Sequence, residues 1–410
     1  MSYPNRWPTP WLFSLLILPL GIVVFGFNFT ALPLLLAQAG VPVDGIASIS
    51  WIINLPGVFG FLLAPVVDIK FRRRTWLAIA TFGTSVAVCI YFRALALSHL
   101  TLLTVLILVG GMLTFLINAA CGGLIVKGLS ESAQSKATAW IMVGQLGGGA
   151  LGAALILWLA ARLPISAVGV CLAAVVALPG LLSFTIPEPS PEPSAWFHGR
   201  FSQIGKEIFA VIRSPARRWS TLLLLAPGGT GAAQGLLPAI AAHYGVGPTG
   251  VIWTNGIAGG VMLGLGSLCG VLIPGDWDRR LTYAGAGLTN ALAVFVLLLA
   301  SRPSVYLSGT VITEGFCWAR FAALTVEIVG VETRDASTLY SVLSAASTIP
   351  LLYMIRLDGF GFSKLGTHGL LWMDAAGNLL VFAVVVGVFV ACGIGLHRVS
   401  VPVADEVSTG

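Results

Sequence analysis

From residue 11 onward the chain alternates long apolar runs with short polar or basic turns. The segment LLAPVVDIKFRRRTW, residues 62–76, shows the pattern. An apolar run closes on Pro65 and Asp68, the turn carries Lys70, Arg72, Arg73 and Arg74, and the next run opens at Trp76. Such a turn joins either two buried hairpin arms of a soluble protein or two membrane spans held on one side by positive charge. The runs predict twelve helices, near 11–37, 46–67, 75–97, 100–127, 138–160, 164–186, 219–242, 250–274, 281–300, 303–330, 335–356 and 368–396. Each has about the ~20 apolar residues that cross a bilayer, with some length left for tilt.

Composition selects the membrane. The 410 residues are 57% hydrophobic and 9% charged, against roughly 25% charged in a soluble domain. A core of ordinary size cannot hide that much apolar surface, so lipid is the solvent for most of the chain. The net charge of +6 does not point to nucleic acid, because the basic residues sit in short turns between runs. The six cysteines, Cys89, Cys121, Cys171, Cys269, Cys317 and Cys392, lie inside apolar runs with no metal or disulfide spacing and read as small buried thiols. The lead MSYPNRWPTP lacks a signal-peptide cleavage site. The sequence calls for no cofactor and no metal.

Charge also orients the chain. With the N-terminus inside, most Lys and Arg fall in cytoplasmic segments, leaving Arg93, Arg162, Arg302, Arg356 and Lys364 on the other side. By the positive-inside rule both termini are expected to be cytoplasmic. The longest connection, 187–218, opens with PEPSPEP as a stiff spacer and continues with Phe201, Ile204, Ile208 and Ile212 at helical spacing, as in a helix lying in the headgroup layer. It divides the chain into a six-helix bundle, 1–186, a cytoplasmic linker, 187–218, and a second six-helix bundle with a short polar tail, 219–410.

Polar residues that lipid would reject mark the candidate solute or ion path: Asn28, Asn54, Asn118, Gln234, Asn255, Glu314 and Arg320. Glu314 lies 11 residues beyond Pro303, roughly 16 Å along a helix and near mid-membrane. Arg320 follows six positions later, about 240° around the helix, so each charge is expected to find its partner on another span or on a ligand. Asp374 and Asp358 read as outer-end residues of less weight. Asp68 with Arg72 and Arg73, echoed by Asp276 with Arg280, reads as a cytoplasmic charge cluster that gates one face. Gly144, Gly148 and Gly152, and Gly256, Gly260 and Gly264, form stripes at intervals of four that let another helix backbone approach closely, at a rocking interface or in static packing. No G-x-x-x-x-G-K-[ST] loop is present, which argues against ATP-driven pumping.

Two six-span halves with a D-x-x-x-R-R turn after the second span resemble the major facilitator superfamily of secondary transporters over essentially the whole chain. Ala64, Asp68, Ile69, Phe71, Arg72 and Arg73 occupy the places of that family's loop signature, without its glycines and first arginine. A narrower resemblance, to AmpG-type muropeptide permeases, acetyl-coenzyme A transporters and siderophore-uptake permeases, is carried by ALPLLLAQAGVPVDGIA at 31–47, NLPGVFGFLLAPVVD at 54–68 and TRDASTLYSVLSAAS at 333–347. The resemblance implies a multi-pass protein of the bacterial cytoplasmic membrane that works as a monomer by alternating access and is no enzyme. It further implies proton-coupled uptake of a siderophore, peptidoglycan fragment or other anionic metabolite, and glycine faces that meet helices across the boundary of the halves. On the residues themselves Arg320 reads as an anchor for an anionic group and Glu314 as a proton carrier or cation contact, with a structural pairing of either charge left open. An exporter of amphipathic compounds and a non-transporting scaffold or sensor of the same fold stay open at this point.

Overall fold

The computed structural model describes residues 9–67, 71–97, 99–129, 131–186, 205–206, 209, 213–274, 277–307, 311–329, 342–343, 345–346 and 348–395, and its regular elements are all helical. We name them α1 (Leu12–Gln38), α2 (Val43–Phe59), α3 (Arg73–Ala96), α4 (Leu100–Gly128), α5 (Glu131–Ala160), α6 (Ile165–Leu182), α7 (Pro215–Leu224), α8 (Ala232–Ile240), α9 (248–269), α10 (Arg279–Leu299), α11 (Val311–Val329) and α12 (Thr348–Ala391). The physical reason is that lipid offers backbone groups no partner, so each run must satisfy its own N–H and C=O groups, and a helix does so locally. Among the described residues seven helices, α1, α3, α4, α5, α6, α10 and α12, are long and apolar enough to cross a membrane.

Several runs are less regular than their hydropathy predicts. α1 and α9 each contain a π-wound stretch, Gly21–Ala31 and Ile252–Ala258, and these hold Asn28 and Asn255. α2 breaks at Asn54, whose Nδ2 donates to the Ser50 carbonyl at 2.8 Å. The run at 219–242 is two helices, α7 and α8, with an unwound stretch between them. α12 is a hairpin whose arms join through non-helical backbone at Leu365 and Gly366. The expected loop at 357–367 is thus mostly helix, and the first arm runs more than two turns further than its hydropathy suggests.

α1 to α6 pack largely on one another, as do α7 to α12, with α2 on α12, α5 on α9 and α8 on α1 as the bridges. Outward-facing apolar residues such as Leu151 (64% exposed) and Val390 (76%) are a surface that suits lipid and would aggregate in water. At the end marked by the turns at Gly40 and Gly366 the chain is closed. Gly359 of α12 lies on Ala47 and Asp44 of α2, and Arg356 Nη1 donates to Ser48 Oγ; deeper along the same two helices Gly57 meets Thr348.

Candidate functional site

The unwound stretch between α7 and α8 organises the site. Gly229 and Gly231 have φ of 66° and 73°, values that cost a residue with a Cβ, and they let the chain lie flat against α11. A Cβ on Gly229 would strike the Cys317 sulfur, and one on Gly231 would sit 3.4 Å from Glu314 Oε1. The exposed backbone finds side-chain partners. The Gly229 N–H donates to Asn378 Oδ1 at 2.6 Å, and the N–H of Ala233, in the first turn of α8, is turned toward the Asp374 carboxylate. An acid at that helix terminus meets the favourable end of the dipole.

A polar chain then ties four helices together. Gln234 Nε2 on α8 donates to Asn290 Oδ1 on α10 at 2.7 Å, and Thr313 Oγ1 on α11 donates to the same oxygen at 3.3 Å. Asn290 Nδ2 donates to Asp374 Oδ2 on α12 at 3.2 Å, and Asn378 Nδ2 reaches the same carboxylate oxygen at 3.3 Å. Asn290, Asp374 and Asn378 are fully buried. Glu314 is held beside this chain, with the Trp318 indole one turn on as its hydrogen-bond donor. Gln234 Oε1, Asp374 Oδ1 and, on α1, Asn28 Oδ1 are buried acceptors without a partner among the described residues. The arrangement presents surplus acceptors, which bind donors such as hydroxyls, amines or protons.

The Major Facilitator Superfamily model matches residues 12–352. The chain belongs to that superfamily. No curated protein matches the chain. Among solved structures, the D-xylose-proton symporter is similar with a TM-score of 0.66 and 14% identity, over 91% of this chain and 97% of that one. The nucleoside transporter NupG is similar with a TM-score of 0.69 and 13% identity, over 92% and 98%, and a NupG variant with 0.74 and 12%, over 93% and 100%. At such identities the likeness is one of fold. As a member of the major facilitator superfamily the protein is a multi-pass membrane secondary transporter, built for alternating access and not an enzyme.

The superfamily fold distributes the sequence-predicted residues unevenly. Gln234 enters the polar chain, and Glu314 lies beside it against Gly231. Asn255 Oδ1 accepts from the Tyr306 hydroxyl at 2.8 Å, and Asn118 Oδ1 accepts from Gln145 Nε2 at 3.2 Å, so both bridge neighbouring helices, while Asn54 serves the break in α2. Arg320 and Glu314 do not meet. Arg320 Nη2 donates to the Gly270 carbonyl at the end of α9 at 2.6 Å, near Arg279, which itself reaches the Ala323 carbonyl and Glu327. Arg280 grips Asp278 with two side-chain bonds of 3.0 and 2.6 Å, Arg72 caps α3, and Arg73 lies over Gly123 of α4. Asp68 and Asp276 lie outside the described residues, as does most of the 187–218 linker.

The glycine stripes divide. Gly144, Gly148 and Gly152 pack on Ser14, Leu18, Gly21 and Ile22 of α1, not across the boundary as expected, because α1 needs close approach along its π-wound face. Gly256 and Gly260 do cross it, meeting Ala150 and Ala154 of α5, and Gly264 continues the same helix. Sequence reasoning passed over Asn290 and Thr313 and ranked Asp374 and Asp358 too low. The available signal was Asp374 four residues before Asn378, one face of one helix, and the Gly-Gly-x-Gly break at 228–231.

Proposed function

We propose that this transporter carries a small, uncharged or cationic, hydroxyl- or amine-bearing solute across the bacterial cytoplasmic membrane together with a proton. Twelve spans form two halves, 1–186 and 219–410, joined by a cytoplasmic strap, with both termini inside, and the chain works as a monomer. The solute path runs past Asn28, Asn118, Gln234 and Glu314, with Asn290 and Asp374 added to it. The observation that carries this reading is the acceptor surplus around the α7–α8 break, a discontinuous helix of the kind that holds substrate and ion sites in secondary transporters. Two proteins of similar structure are a D-xylose-proton symporter and a nucleoside transporter, whose solutes are rich in hydroxyl groups.

Uptake of a siderophore, peptidoglycan fragment or other anionic metabolite would need a cation beside these acids. Arg320 is turned to Gly270 instead, so the anionic class has less support. The test is uptake of labelled pentoses, nucleosides and anionic peptidoglycan fragments into liposomes, with and without an inward proton gradient. Gradient-driven uptake of a neutral or cationic solute is expected, and saturable uptake of anions alone would refute the reading. Glu314→Gln is expected to retain exchange at equal pH and lose gradient-driven accumulation. Arg320→Gln should change protein stability and leave apparent solute affinity within about threefold, since it removes a bond to backbone outside the site.

A further inference from the structure

Asp358, in the first arm of α12, is fully buried, and neither carboxylate oxygen has a hydrogen-bond partner among the described residues. Gly361 and Gly369 meet backbone to backbone, so the arms of the hairpin cross one turn beyond Asp358. The second arm returns Asp374 to the neighbourhood, where it is the charge that bears on Asp358. Gly359, the next residue, admits α2: its missing Cβ would stand 2.5 Å from that of Ala47 and 3.7 Å from the backbone of Asp44. The acid therefore sits where α2 and α12 close one end of the protein.

No neighbour among the described residues neutralises it. Arg356 donates to Ser48, whose hydroxyl donates on to the Asp44 carbonyl, and Lys364 lies over the Phe360 ring. Asp44 on α2 is a second acid. Beyond α8, His243 pairs with Ser301 and meets the His368 ring edge to face. The Tyr353 hydroxyl of α12 donates to the Leu225 carbonyl just past α7, and Gln234 of α8 presents an oxygen without a partner among the described residues. Asn290 of α10 donates to Asp374, and Glu314 and Cys317 of α11 lie on the Asp374 side. An ionised Asp358 would have neither donor nor counter-ion, a state that buried carboxyls escape by staying neutral.

We infer that Asp358 is a proton-binding site separate from Glu314, holding its proton while the α2–α12 seam is closed and releasing it to outside water when the seam opens. The sense of opening rests on the alternating-access reading above. Because the closed form holds one more proton, rising external pH favours the open form, by up to about tenfold per pH unit for a single proton.

Ser50 lies on the buried face of α2, one turn from Ala47, and a cysteine there fits in nearly the same volume. In a full-length variant without the six native cysteines, S50C reports seam opening by its rate of modification with a membrane-impermeant maleimide added outside. Each rate is divided by that of the same cysteine in D358N, which imitates the proton-bound acid and cancels the pH dependence of the thiol. The ratio is expected to rise with external pH, by up to about tenfold per unit, and to do so equally in an E314Q background. A ratio that ignores pH, that follows sodium at constant pH, or that E314Q flattens would overturn the proposal. If D358N does not accumulate, D358S takes its place as the neutral reference. The readout needs no solute, so absence of transport would count against the proposed function while leaving this result intact.

Discussion

Asn290 shows how much a single buried amide can hold. It receives from Gln234 and Thr313 and donates to Asp374, so replacing it by Leu removes a bond from groups on three helices and strands the Gln234 amide. Each stranded buried polar group costs about 1–3 kcal/mol. Asn290→Leu is expected to lower the melting temperature in detergent by several degrees and to abolish uptake. A melting temperature equal to the parent's would show that water or rearrangement replaces the network. At the other end of α10, burial alone would raise the Asp278 carboxyl, but the hydrogen bonds and charge of Arg280 outweigh it and hold the group below its ordinary 3.8. A depressed acid contributes stability above that ordinary value and loses it as pH falls through the lower folded value. The melting-temperature difference between the parent and Asp278→Asn should therefore be constant from pH 7 to about 5 and shrink below about 4.

At the scale of elements, glycine decides which helices touch. Gly148 packs on Leu18 and Gly21 within the first six helices, whereas Gly260 stands 2.7 Å, measured from an added Cβ, from Ala150 on the far side of the boundary. The two sites separate folding from conformational change. Gly148→Leu is expected to reduce the amount of folded protein, since it wedges α1 from α5. Gly260→Leu is expected to leave folding near normal and to shift the α5–α9 contact, which size-exclusion yield and maleimide accessibility on each side of the membrane would register. Equal loss of folded protein from both substitutions would contradict this division. The breaks follow the same logic: the φ values of Gly229 and Gly231 create the unwound stretch, and Asn378 and Asp374 supply the partners that make it tolerable in lipid.

For the molecule as a whole, the contacts of Gly359 and Arg356 with α2 close the end that carries the Gly40 and Gly366 turns. Under the expected orientation that end faces outside. Lys364, exposed beside the hairpin turn, tests the orientation. Lys364→Cys in intact cells should react with an impermeant maleimide added outside. Labelling only after the cells are opened would invert the topology and, with it, the direction in which the seam at Asp358 faces.

What the sequence determined by itself is set by amounts: the number and length of apolar runs, the scarcity of charge and the bias of basic residues, which together force helices into lipid and fix their number and sense as expectations. Glu314 and Gln234 were legible because a charge or an amide in mid-run is costly in lipid and must find a polar partner. Tertiary structure alone decided what those groups meet. Arg320 looked like a partner for a ligand, yet its reach to Gly270 depends on how α9 ends against α11. Asp358 looked like a loop residue because the apolar run before it was expected to end at 356, ahead of Gly359 and Gly361. In the folded chain those same glycines bring two helix arms and α2 together and bury the acid between them. Hydropathy counts residues along one run, and it carries no information about which backbone a glycine will admit.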